Sequence, residues 1–97
     1  MQHPTMARFF DKATRAFHQA GKCPAEWKAF ERVAARKLDM VLNAARLDDF
    51  RIPPINKFEK LERDREGQYS IRINDQYRVC FTWDGTKAMR IEITDYH

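Results

Sequence analysis

The stretch 68-QYSIRINDQYRVCFTWDGTKAMRIEITDYH-97 decides the fold, because its apolar residues recur at every second position. Tyr69, Ile71 and Ile73 form one such run, Tyr77, Val79, Phe81 and Trp83 a second, and Met89, Ile91 and Ile93 a third. Asn74-Asp75 and Asp84-Gly85 separate the runs, and these dipeptides favour tight turns. The reading is three antiparallel strands. A two-residue loop at Asn74-Asp75 pairs Ile71 with Arg78 and mixes apolar with charged residues on one face, which a half-buried sheet resists. A three-residue loop, Asn74 to Gln76, instead pairs Ile73 with Tyr77, Ile71 with Val79 and Tyr69 with Phe81, giving one apolar face. It also sets Arg72 opposite Arg78.

Two like charges across a ladder are unfavourable, so this placement suggests an anion nearby, with RNA phosphate as the candidate. The competing explanation is a neighbouring carboxylate. If the second hairpin also has an odd loop, Arg78 faces Glu92, and a structural ion pair accounts for one of the two arginines.

Upstream of Pro53-Pro54 the period changes. Trp27, Phe30, Ala34, Leu38, Val41 and Ala45 recur at steps of three and four, which predicts an amphipathic helix beginning near Pro24. Met6 to Phe10 has the composition of a short strand, and Asp11 to Ala20 reads as a short helix closed by Gly21. Leu47 to Arg65, with two prolines and alternating charge, reads as an extended loop with turns. Together these give an α+β fold, with N-terminal helices packed on a small C-terminal antiparallel sheet, as a single domain over residues 1–97.

The 97 residues are enough for one core, and 43% of them are hydrophobic. The net charge of +4 suits an acidic partner as well as an ordinary solvated surface. Cys23 and Cys80 form neither a CxxC pair nor a Cys/His cluster, so no metal site, cofactor or disulfide framework is expected and a reducing cytoplasm fits. No export signal or membrane anchor is expected from the N-terminus or from any apolar run. Lys28, Arg32 and Arg36 line one helix face at steps of four, either as a solvated stripe or as a contact for nucleic acid or an acidic partner.

Metal-free cleavage of RNA needs a base for the 2′-hydroxyl, an acid for the leaving 5′-oxygen, and cations for the charge gathering on the phosphorane. Histidine suits the proton transfers. His3 falls in the terminal segment and His18 within the short helix, whereas His97 follows the third strand directly, beside Asp95 and Tyr96. Tyr96 has the ring to stack on an unpaired base, and Asp95 the carboxylate to orient His97 or a loop amide.

From Arg51 to His97, and above all in RIPPINKFEKLERDREGQYSIRINDQYRVCFTW and the closing IEITDYH, the chain resembles the HigB-type toxins of the RelE/ParE superfamily. The resemblance implies a ribosome-dependent mRNA endonuclease that inhibits translation. It also implies a HigA-type helix-turn-helix antitoxin as partner, with operator DNA met only through that antitoxin. In that family the closing Asp-Tyr-His and an arginine on the second strand of the final sheet form the active site, which here implies Asp95, Tyr96, His97 and Arg78. Some members carry a histidine and a lysine before the glycine preceding the sheet, where this chain has Glu59 and Glu62. The partner of His97 in proton transfer is then a carboxylate such as Glu59, water, or the ribosome. Arg72, Lys57, Lys60, Arg63 and Arg65 are candidates for holding mRNA or ribosomal RNA, or are charges of a loop offset by Glu59, Glu62, Asp64 and Glu66. The same superfamily includes ParE-type inhibitors of gyrase that are not nucleases, and a toxin acting only as co-repressor with its antitoxin is a third reading.

Overall fold

The computed structural model describes residues 8–95. Helix α1 spans Lys12–Ala20 and α2 spans Glu31–Asn43; the sheet comprises β1 (Glu59–Lys60), β2 (Gln68–Arg72), β3 (Arg78–Trp83) and β4 (Ala88–Thr94). The four strands form an antiparallel meander in the order β1-β2-β3-β4. This is the expected α+β arrangement with one strand more than expected. None of the helices among the described residues is long and apolar enough to cross a membrane.

The first hairpin has the register that the three-residue loop dictates. Tyr69 pairs with Phe81, Ile71 with Val79 and Arg72 with Arg78, and Ile73 N–H donates to the Tyr77 carbonyl at 3.0 Å. Asn74 locks the turn by accepting from the N–H groups of Gln76 and Tyr77 at 2.8 and 2.7 Å.

The second hairpin departs from expectation. Between Trp83 and Ala88 lies a four-residue loop, in which Asp84 accepts from the N–H groups of Thr86 and Lys87 and from the Thr86 hydroxyl. The ladder then shifts between Cys80 and Thr82, so that Arg90 and Ile91 together oppose Phe81. Arg90 takes up the extra residue with a φ of 50°, a bulge that restores the alternation of faces further along β4. Two expectations fail as a result. Ala88 is buried in place of Met89, and Arg78 faces Thr94 while Glu92 faces Cys80.

Helix α1 starts at Asp11, whose side chain accepts from Thr14 N–H, and ends at Gly21 in the left-handed region, as its sequence predicts. The buried Thr14 hydroxyl then accepts from Ile93 N–H at 3.0 Å, fixing α1 to β4. Phe9 forms a single parallel bridge with Ile91 where a strand was expected, and Met6 and Ala7 of that segment lie outside the described residues. Together these contacts cover the outer edge of β4, which would otherwise offer open backbone groups to another chain.

The expected long helix is divided. Residues Ala25–Phe30 form a 3₁₀ turn, and Phe30, at φ −125° and ψ 25°, breaks the path before α2 begins. Trp27, Ala34, Leu38 and Val41 still reach the core, whereas Ala45 lies beyond the helix and is exposed. The apolar face of the sheet meets them through Ile71, Val79, Phe81, Ile91 and Ile93. Phe50, fully buried from the 3₁₀ turn Leu47–Arg51, packs its ring 4.8 Å from Phe81 and 5.8 Å from Phe58. The loop between helices and sheet is thus pinned by an aromatic cluster. That pinning brings residues 57–60 alongside β2, where Glu59 pairs with Ser70 and Lys60 with Tyr69.

Candidate active site

On the face of the sheet turned away from the helices, alternation brings Ser70 and Arg72 of β2 beside Arg78 of β3. Arg78 donates from Nε to the Ser70 hydroxyl at 2.7 Å and from Nη2 to the Lys57 carbonyl at 2.6 Å, and Glu59 Oε1 lies 3.9 Å from Nη2. Lys57 aims that carbonyl because it ends the 3₁₀ turn Pro54–Asn56 with a φ of 45°. Arg72 pairs with Asp75 across the turn. The two guanidinium side chains are 17% and 27% exposed, whereas Glu59 and Asp75 are 53% and 97% exposed. The cations therefore sit deep and the acids at the rim.

These residues line a concavity of about 390 Å³, completed by Lys57, Asn74 and Gln76. Asp95 reaches its edge, accepting from Gln76 Nε2 at 2.9 Å. The end of β4 is thereby tied to the turn that shapes the basin. Like charges opposed across a ladder cost on the order of 1 kcal/mol or less, while a charged donor's hydrogen bond contributes about 1.5–3 kcal/mol. Arg78's two bonds therefore outweigh its repulsion by Arg72. Its remaining N–H groups are available to a tetrahedral anion in the basin.

The sequence candidates divide. Arg78, Arg72, Lys57, Glu59 and Asp95 come together at this end of the sheet. Lys60 and Arg63 are exposed on the segment outside it. Arg65 bonds Glu92 at 2.8 Å and Gln68 at 3.1 Å, and lines a separate hollow with Phe10 and Arg90. Glu92 thus serves Arg65 and not Arg78. Tyr96, His97 and His3 lie outside the described residues. His18 packs against Phe9, 3.9 Å from Asp39 and away from the basin.

Ser70, Gln76 and the Lys57 backbone carbonyl escaped the sequence reading. Ser70 was legible in principle, since it stands two residues before Arg72 in a strand of period two. A backbone acceptor has no signature in side-chain spacing. Below Arg78 and Arg65, burial pushes the Cys80 thiol up to about 12, which removes it as a nucleophile. Among the described residues no three His, Cys, Asp or Glu side chains gather as a metal site.

Comparison with known proteins bears on this geometry. A family model described as the RelE-like toxin of the type II toxin-antitoxin system HigB matches residues 3–97. Toxin HigB-1 of Vibrio cholerae serotype O1 is 46% identical over 55 residues, covering 57% of this chain. An uncharacterised protein of Haemophilus influenzae is 41% identical over 57 residues, covering 59% of the chain. The matched stretches span 58% and 56% of those two relatives' own lengths. With a family match running through both helices and all four strands, the chain belongs to the HigB family of RelE-like toxins of type II toxin-antitoxin systems.

Proposed function

We propose that this protein is a toxin that cleaves mRNA on the ribosome and so stops translation. The observation that carries the reading is the pair of opposed arginines, Arg72 and Arg78, in a concavity whose rim holds Asp95. In the reaction the RNA 2′-oxygen attacks the adjacent phosphorus, the bond to the 5′-oxygen breaks, and the products are a cyclic phosphate and a 5′-hydroxyl. No metal takes part in this scheme.

Charge accumulates on the non-bridging oxygens as the phosphorane forms. Donors already held in place stabilise it without reorganisation. Arg78, fixed by Ser70 and the Lys57 carbonyl, is such a donor, and Arg72 is a second whose acidic partner is almost wholly exposed. His97 transfers a proton, Tyr96 stacks on a base, and Asp95 accepts a hydrogen bond from Gln76 at the rim of the basin. Glu59, 3.9 Å from Arg78, is a candidate for the second proton carrier, beside water and the ribosome. Lys57, Lys60, Arg63 and Arg65 add positive charge toward mRNA or ribosomal RNA.

The partner that restrains the toxin is a HigA-type antitoxin, and the compartment is the cytoplasm, where ribosomes are. The reading is tested with an mRNA on programmed ribosomes, purified wild-type protein and the His97→Ala variant. Wild type should yield cyclic-phosphate ends, and His97→Ala should yield none while melting as wild type does. Full activity in His97→Ala would overturn the assigned site.

A further inference from the structure

A second recess opens beside the basin, between α2 and the Pro54–Asn56 turn, with a volume of about 290 Å³. Arg72 and Asn74 line both hollows, so the two adjoin. Val33, Ile55 and Ile73 supply apolar wall, and Ile55 is 65% exposed. Arg36 and Lys37 supply charge.

Lys37 is the informative residue. It is only 5% exposed, and among the described residues its ammonium meets a single acceptor, the neutral side-chain oxygen of Asn56. No carboxylate of the described residues lies within ion-pair distance of it or of Arg36. Asn56 cannot turn toward any other task, because its amide donates to the Phe50 and Ile52 carbonyls. A buried ammonium normally has a counter-charge or several hydrogen bonds. Here burial and the neighbouring Arg36 both push its pKa down, the effect expected of a cation lacking an anion.

We propose that this recess is a second nucleotide subsite, in which Arg36 and Lys37 hold the phosphate next to the cleaved one while Ile55 and Ile73 carry its base. The assignment rests on reading the basin as an RNA site. The shared wall of Arg72 and Asn74 favours an RNA strand over an acidic peptide, because a strand lying in the basin leads toward the recess beside it. The apolar wall beside the cations matches the two halves of a nucleotide.

The test is mRNA cleavage on programmed ribosomes, with a neutral methylphosphonate replacing each linkage that flanks the cleaved one. For wild type, one of the two replacements should slow cleavage about tenfold. Arg36→Gln and Lys37→Met should each slow cleavage of unmodified mRNA several-fold and respond less than wild type to that replacement, since part of the contact is already lost. A merely structural effect would instead multiply with it. Variants as fast as wild type, or losses that multiply, would overturn the subsite and leave the basin standing. Normal cleavage by variants that no longer bind antitoxin would overturn it in favour of a protein contact. Wild type that leaves mRNA intact would overturn the basin and the subsite together. Should Lys37→Met fail to fold, Arg36→Gln at its exposed position carries the test.

Discussion

Replacing Arg78 by lysine keeps the charge and removes the fork. In the structure, Nε and Nη2 are committed to Ser70 and to the Lys57 carbonyl, and these bonds orient the other donors toward the basin. A lysine ammonium in that place has to choose between the protein acceptors and the phosphate. Losing a preorganised donor to a developing oxyanion costs about 2.7–4 kcal/mol, or roughly 100- to 1000-fold in rate. The stability cost is smaller. Lys57's carbonyl is open to water and Ser70 has a further contact, so about 1–2 kcal/mol is lost, equivalent to a fall in Tm of about 4–16 °C for a domain of this size. If the domain starts with at least about 5 kcal/mol, under about 1% is unfolded in the variant at 25 °C. Unfolding therefore cannot produce a hundredfold loss. The assay is single-turnover cleavage on programmed ribosomes beside a thermal melt of the same sample. Cleavage by Arg78→Lys within about threefold of wild type would refute the argument that the fork matters.

Other expectations concern the scaffold. Phe50→Ala removes a fully buried ring from the aromatic cluster and should destabilise the protein by about 3–5 kcal/mol, read from urea unfolding; a loss under about 1 kcal/mol would mean that the loop is held otherwise. The Lys37 pKa is lowered from its ordinary 10.5, so between the folded and unfolded values the unfolded chain binds the extra proton and stability rises with pH. Wild type should gain stability relative to Lys37→Met as pH climbs toward 10.5, and a flat difference between the two melting curves would contradict the buried-ammonium account. Asp84, held below its usual 3.8 by the Thr86 and Lys87 N–H groups and the Thr86 hydroxyl, contributes stability present above 3.8 and lost as pH falls through its folded value. Asp84→Asn should flatten that acid limb of Tm against pH. Cys80, fully buried with its thiol raised to about 12, should resist iodoacetamide at pH 8 until the protein is unfolded, and rapid labelling of the native state would show that the sheet opens.

The parts of the fold legible in the sequence are those set by local alternation and caps. The first hairpin's register followed from keeping charge off the apolar face, and α1 followed from Asp11 and Gly21 at its ends. β1 was not legible, because a two-residue exposed Glu-Lys pair has no periodicity; it is a strand only because the Phe50–Phe58 contacts lay it against β2. The bulge at Arg90 was hidden for a similar reason, since a left-handed arginine has none of the sequence signal of a glycine. That bulge changed the ion pairing, giving Glu92 to Arg65 and leaving Arg78 to Ser70, Lys57 and Glu59. The basin was half visible. Arg72 and Arg78 emerged from register, whereas its wall from the Lys57 loop depends on tertiary packing.

The most direct test of the central claim is to map mRNA 5′-ends in cells expressing wild type or Arg78→Ala, with translation running and with initiation blocked. The account predicts new 5′-hydroxyl ends within translated regions for wild type, their disappearance when initiation is blocked, and none for Arg78→Ala at equal protein level. Growth arrest by wild type without new ends, or the same ends produced by Arg78→Ala, would contradict it.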